Sequence, residues 1–221
     1  GTQAVAGHVQ ARHVAGVGRM RRAVRSNVHV LDRSAAVDLD GQLFSGGTFD
    51  VEGITVNRTR NGGGLDQHLA EARRVVRLCG LDTAIPVTPG ADKGFDAIKG
   101  QLDQPDFDGA EAVNLIIQRA RATDTRRLVM LPVGKLTTIA LALAKDPGIA
   151  SKVRIVWLGS NYPERGEYNQ DNDEPSLNYI LNTGVDFEIA LVRSGKPTGT
   201  AAVWATLDDI EKHMPGTGPR I

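Results

Sequence analysis

Between residues 49 and 192, short β-branched runs alternate with segments of helical spacing, and that order admits few folds. The run 127–133, RLVMLPV, is apolar at successive rather than alternate positions beyond its arginine, as in a strand covered on both faces. A helical segment, LTTIALALAKD (136–146), follows and stops at Asp146-Pro147, because the residue before a proline is pushed out of the helical region. The same order recurs along the chain. Strands are expected at 49–56, 84–87, 152–159 and 186–192, and helices at 65–80, 110–122, 175–184 and 206–214. The alternation predicts the α/β class, with a mostly parallel sheet flanked by helices.

Within the helix 65–80, Leu65, Leu69, Ala72, Val76 and Cys79 fall at three- and four-residue spacing, and Gly80 supplies the stop. Cys79 therefore reads as a small core residue. As the single cysteine it can form no internal disulfide, which fits a reducing compartment and gives the cytoplasm as the expected location. The 221 residues carry 26 basic and 26 acidic side chains, so no net charge draws the chain to nucleic acid or acidic lipid. The apolar runs fall short of the roughly 18 residues of a membrane span. The first thirty residues hold five Arg, three His and no carboxylate, without sustained periodicity. Residues 1–27 are read as an irregular extension, and 28–221 as one domain.

In parallel sheets ligands bind beyond the carboxyl ends of the strands, where loops diverge and helix N-termini point inward. Three such loops are rich in Asn, Thr and Gly: NRTRNGGG (57–64), GKLTT (134–138) and GSNYPERGEYNQDNDEPS (159–176). Asn offers donors and an acceptor and Glu two acceptors, so Asn161, Glu167 and Asn169 match the hydroxyl array of a sugar. The same residue types also bond their own backbone in ordinary turns.

The spacing Asn161, five residues, Glu167-Tyr168-Asn169, then Asp173 resembles the sugar-binding loop of the inosine-uridine-preferring nucleoside hydrolases. Segment 133–160, VGKLTTIALALAKDPGIASKVRIVWLGS, is similar to that family's Gly-Pro-Leu-Thr-Asn-Ile-Ala-Leu-Ala stretch with its following Asp-Pro and strand. FDVEGITVNRTRNGGGLDQ (49–67) and IPVTPGAD (85–92) resemble its Gly-Ile-Thr-Thr-Val and Pro-Val-x-x-Gly-Ala-Asp segments. The resemblance implies a Rossmann-like, nucleoside-hydrolase-like fold and hydrolysis of the N-glycosidic bond of a ribonucleoside or related sugar conjugate. It implies a small-molecule partner, and with exposed helix faces a homo-oligomer. A calcium ion would hold the attacking water and ribose hydroxyls, through Asp32, Asp38, Asp40 and the Thr137 carbonyl. Asp38 would take the water's proton. Asn61, Asn161, Glu167 and Asn169 would grip the sugar, Glu167 also stabilising its developing positive charge.

The chain departs from that pattern near its start. In VLDRSAAVDLD (30–40), Asp32 and Asp38 fit the first and third aspartates of the family's Asp-x-Asp-x-x-x-Asp-Asp signature, but Ser34 and Leu39 stand at the second and fourth, and Asp40 lies one residue late. The chain also stops where the family continues to a His-Asp pair, and His213, Asp208 and Asp209 read as solvated helix residues. Weak calcium affinity is the consequence, and a sugar-binding domain without catalysis, or an inactive fragment, is the alternative expectation.

Overall fold

The structure is a computed structural model that describes residues 27–32, 50–193, 196–197, 199–202 and 205–213. Asp38, Asp40, Ser34 and Leu39 lie outside the described residues. The strands are β1 (Asn27–Asp32), β2 (Val51–Asn57), β3 (Val87–Pro89), β4 (Leu128–Pro132), β5 (Val153–Leu158) and β6 (Asp186–Ala190). The helices are α1 (Leu65–Leu78), α2 (Phe95–Ile98), α3 (Ala110–Arg121), α4 (Thr137–Lys145), α5 (Tyr168–Asn172), α6 (Glu174–Leu181) and α7 (Leu207–His213).

The strands form one sheet in the order β3-β2-β1-β4-β5-β6. Parallel pairing joins β2 to β3, β4 to β5 and β5 to β6, as the alternation of strands and helices predicts. Successive side chains of a strand point to opposite faces, and β4 shows the result. Leu128 and Met130 pack with Val113, Ile116, Ile139, Leu143 and Trp157 on one face, while Val129 and Leu131 pack with Ile54, Val56, Ala72 and Val76 on the other. Helices α3, α4 and α6 cover the first face and α1 the second, so β4 is buried along its whole length.

β1 departs from the parallel pattern. It runs antiparallel between β2 and β4, with Asn27 opposite Asn57 and Asp32 opposite Val51 and Val129. Asp32 stands beside the entering ends of β2 and β4, roughly 20 Å from the exit of β2 at about 3.3 Å per residue. Apolar periodicity marks a strand without stating its direction, which is why the sequence did not show this.

Two smaller differences concern α1 and the 88–109 segment. The helix ends at Leu78, leaving Cys79 as an exposed C-cap rather than a core residue. Between β3 and α3, where the sequence gives no helical period, lie α2, which buries Phe95 and Ile98, and a 3-10 turn (Lys99–Gln101). Among the described residues no helix is long and apolar enough to cross a membrane.

Trp157 fixes the end of β5. Its indole is fully buried, stacks on Phe187 with ring centroids 6.1 Å apart, and donates from Nε1 to the Gly134 carbonyl at 2.8 Å. A Cβ on Gly159 would fall 2.1 Å from Trp157 Cζ2. Gly159→Ala is expected to lower unfolding stability by about 3 kcal/mol, at the upper end of overpacking costs, because both neighbours of the indole hold it in place. Urea denaturation followed by tryptophan fluorescence measures this; an unchanged midpoint would show that the indole can move.

Candidate functional site

The exits of β2, β3, β4 and β5 are cross-linked by buried polar side chains. Asn57, the last residue of β2, is fully buried, and its carbonyl oxygen accepts from the Ala91 N–H at 3.1 Å and from the Thr138 hydroxyl. Its amide nitrogen donates to the Lys135 carbonyl at 3.2 Å. One side chain thus joins the ends of β2, β3 and β4. The approach is close enough that a Cβ on Gly90 would lie 2.5 Å from Asn57 Oδ1 and 2.7 Å from Thr138 Oγ1, so that position takes only glycine.

Asp173 makes the second knot. Its Oδ2 accepts from the Phe95 N–H at 2.9 Å and from the Thr137 hydroxyl, tying the 159–176 loop to the start of α2 and of α4. Its backbone carbonyl accepts the Ser176 hydroxyl at 2.7 Å inside the first turn of α6. Between the knots lies Lys135, only 3% exposed, whose ammonium donates to the carbonyls of Asp92 at 3.2 Å and Lys93 at 2.8 Å. Asp108 accepts the N–H groups of those same two residues at 2.8 and 2.7 Å. Burial holds the Lys135 amine below the ordinary lysine value, while Asp173, Asp108 and Asp92 pull it back up and Arg58 adds to the lowering.

Asn161, Glu167 and Asn169 share one loop and brace it. Glu167 is 8% exposed and caps α5: its Oε2 accepts from the N–H groups of Ser160, Asn169 and Gln170 at 3.0, 2.9 and 3.1 Å. Asn169 donates to the Leu158 carbonyl at 2.8 Å. Asn161 donates to the Gly166 carbonyl at 2.5 Å and accepts from the Arg193 N–H at 2.9 Å, so both ends of its amide are taken. Glu167 Oε1 and Asn169 Oδ1 make no hydrogen bond among the described residues.

The 57–64 loop reaches the same region through its backbone. The Arg60 N–H donates to Asn172 Oδ1 at 3.0 Å and the Asn61 N–H to the Tyr168 hydroxyl at 3.2 Å, with the Arg60 guanidinium 5.9 Å from the Tyr168 ring centroid. Asn61 itself is exposed. The structure therefore brings the 57–64, 89–95, 134–138 and 159–176 loops together at one end of the sheet, and leaves Asp32 at the other.

The residues proposed for calcium do not form a cage among those described. Asp32 is at the far end of the sheet, Thr137 is the first residue of α4 with its hydroxyl given to Asp173, and no group of three His, Cys, Asp or Glu is placed to hold a metal. A hard divalent ion wants six to eight oxygens. Of the four residues named for it, Asp38 and Asp40 lie outside the described residues.

The residues that hold this end together, Asn57, Lys135 and Thr138, carried no signal of spacing in the sequence. The one available cue was a polar residue closing the apolar run GITVN at 53–57, since a buried Asn must find partners. Asp173 is a brace, as its place before Pro175 suggests, and it reaches across to α2 and α4 instead of capping α6 with its side chain.

A model of the inosine-uridine preferring nucleoside hydrolase family matches residues 41–210. The chain belongs to that family. It is 26% identical over 152 residues to the inosine-uridine preferring nucleoside hydrolase of Leishmania major, covering 60% of this chain and 48% of that protein. It is 25% identical over 163 residues to the same-named protein of Crithidia fasciculata, covering 63% and 51%. The chain thus spans about half the length of the curated relatives it matches. The fold is similar to that of a purine-preferring ribonucleoside hydrolase from Gardnerella vaginalis, with a TM-score of 0.52 and 20% identity over 65% of this chain and 52% of that one. It is likewise similar to a nucleoside hydrolase from Bacillus anthracis, with a TM-score of 0.52 and 19% identity over 70% and 58%.

The cross-linking gives a contrast between the two asparagines of the 57–64 loop. Asn57→Ala takes the acceptor from the Thr138 hydroxyl and the donor from the Lys135 carbonyl, while the Ala91 N–H keeps Thr138 Oγ1, and should cost about 3 kcal/mol, at roughly 1–3 kcal/mol for each buried group left unpaired. Asn61→Ala, at an exposed position, should stay within about 0.5 kcal/mol. Chemical denaturation of the two variants side by side checks the order; equal effects would mean that Asn57 is not the tie described.

Proposed function

We propose that the loops gathered at the strand exits take the pentose of a ribonucleoside, and that the protein hydrolyses its N-glycosidic bond. The observation that carries this reading is the coincidence of two facts: the family match runs through all four exit loops, and those loops are bonded into one unit. The two acceptor oxygens left over in the braced loop, Glu167 Oε1 and Asn169 Oδ1, suit the hydroxyl donors of a sugar. Their positions are fixed by bonds from the other atoms of the same side chains, so the sugar is met by groups that need not reorganise. A carboxylate at Glu167 also favours the positive charge that grows on the sugar ring as the base departs.

Asn161 serves this reading indirectly, by holding the loop through Gly166 and Arg193. Asp38 is the proposed acceptor of the water's proton and Asn61 a proposed rim contact. Calcium enters only as a weakly held ion, for which Asp38 and Asp40 would have to supply the carboxylates. Assembly into a homo-oligomer and a cytoplasmic location are part of the same proposal by resemblance. A second reading, sugar binding without turnover, is favoured by one observation, the removal of Asp32 to the opposite end of the sheet.

Release of reducing sugar from inosine and uridine separates the two. Turnover that falls about 100-fold or more in kcat/KM on Glu167→Gln, the scale on which transition-state charge stabilisers act, supports hydrolysis. Nucleoside-dependent thermal stabilisation without product supports binding alone. A protein that neither turns over nor gains stability with inosine, uridine or ribose defeats both.

A further inference from the structure

The 57–64 loop is anchored at its two ends by its neighbours and in its middle by α5. At its start, Asn57 is tied to Ala91 and Thr138, and the Arg58 N–H donates to the Ala91 carbonyl at 3.3 Å. At its finish, the Gly64 N–H is met by Gln67 Oε1 at 3.1 Å. Between these anchors Gly62 and Gly63 take φ values of +96° and +95°. Glycine leaves a segment freer than any other residue does, so the place of Asn61 depends on what its backbone meets. One tie is internal, from the buried Thr59 hydroxyl to the Asn61 carbonyl at 3.3 Å.

The others come from α5. Tyr168 and Asn172 are four residues apart and share one face of that helix. This face meets two consecutive N–H groups of the loop: Asn172 Oδ1 accepts from Arg60 at 3.0 Å, and the Tyr168 hydroxyl oxygen accepts from Asn61 at 3.2 Å. Among the described residues neither N–H has another partner. Both side chains are aimed. The Asn172 amide nitrogen donates to the Tyr168 carbonyl at 2.6 Å, which leaves its oxygen for Arg60, and the Arg60 guanidinium lies within cation–π range of the Tyr168 ring. The chain neighbours of Tyr168 are Glu167 and Asn169, each with an acceptor oxygen to spare.

We propose that Tyr168 and Asn172 are positioning residues, a strap that holds the 57–64 loop closed on α5 and sets Asn61 against Glu167 and Asn169 before a pentose arrives. The pentose rests on the function proposed above; the strap does not. Without the strap the loop populates open forms, and apparent affinity falls with the fraction that stays closed. Once bound, the sugar's own contacts hold the loop, so the loss falls on KM and leaves kcat in place.

Trypsin reads the strap directly, because Arg58 and Arg60 are exposed within the loop and cleavage follows the open population. Tyr168→Phe keeps the ring and removes only the hydroxyl. It should speed cleavage after Arg60 about fivefold and raise the KM for inosine about fivefold, the scale of one net hydrogen bond. Asn172→Ala should act in the same direction, and Asn172→Asp, which keeps an acceptor for the Arg60 N–H, should cut at close to the original rate. Circular dichroism confirms that each variant is folded. An unchanged cleavage rate in folded Tyr168→Phe overturns the proposal, as does faster cleavage with an unchanged KM, or a loss confined to kcat. If inosine is neither hydrolysed nor shifts the melting temperature of the unmodified protein, the nucleoside reading fails, and the trypsin rates alone decide for or against the strap.

Discussion

The arrangement depends on one buried amide. Asn57 closes β2 and, with Thr138 and the Ala91 N–H, converts three strand ends into a single hydrogen-bonded floor. Strand pairing alone could not do this, because β1 intervenes between β2 and β4 and runs the other way. The loops after β2 and β4 leave the sheet two strands apart, and the bond from Asn57 to the Lys135 carbonyl spans the gap. Burying an amide is costly unless its donors and acceptor are met, and here neighbouring loops meet them, so the polar group specifies which loops lie together.

The loop with the most conspicuous polar composition has a different kind of rigidity. In residues 159–176 most polar atoms are spent on the loop's own backbone, with Glu167 capping α5 and Asn161 and Asn169 each holding a carbonyl of the chain. These bonds do not oppose a binding role. A side chain with one oxygen fixed presents the other at a set position, so a single Glu can serve as turn residue and sugar contact together. The choice between ordinary turn residue and ligand-gripping residue, which the sequence left open, is for Glu167 and Asn169 a question about their second oxygen.

Much of the sheet was legible in the sequence because burial on two faces leaves a continuous apolar run, as in 128–132, and burial on one face leaves alternation, as in β5. Helices α3 and α4 were equally plain, each ending within a residue or two of its expected limit. Strand direction was not legible, since hydrophobic period is the same read either way, and the antiparallel course of β1 left no mark in the sequence. Short α2 was hidden within a Gly- and Asp-rich stretch, where one turn buries only Phe95 and Ile98. At the strand exits, Glu167 and Asn169 could be found by spacing, whereas Asn57 and Lys135 could not. Their importance lies in partners 34 and 78 residues away for Asn57, and in carbonyl oxygens for Lys135, and neither leaves a local pattern.

Family membership and departure from the family pattern meet at the same place in the fold. The match extends over the exit loops, where the Lys135 ammonium is held by the carbonyls of Asp92 and Lys93. A divalent metal and an ammonium make different demands on a protein. A metal needs six to eight oxygens brought in from several segments, so each missing carboxylate weakens it. An ammonium needs only a few acceptors and arrives already attached to the chain. The buried Lys135 ammonium keeps its two acceptors only if the backbone around it cannot shift. Asn57 and Trp157 provide that restraint, through the carbonyls of Lys135 and Gly134.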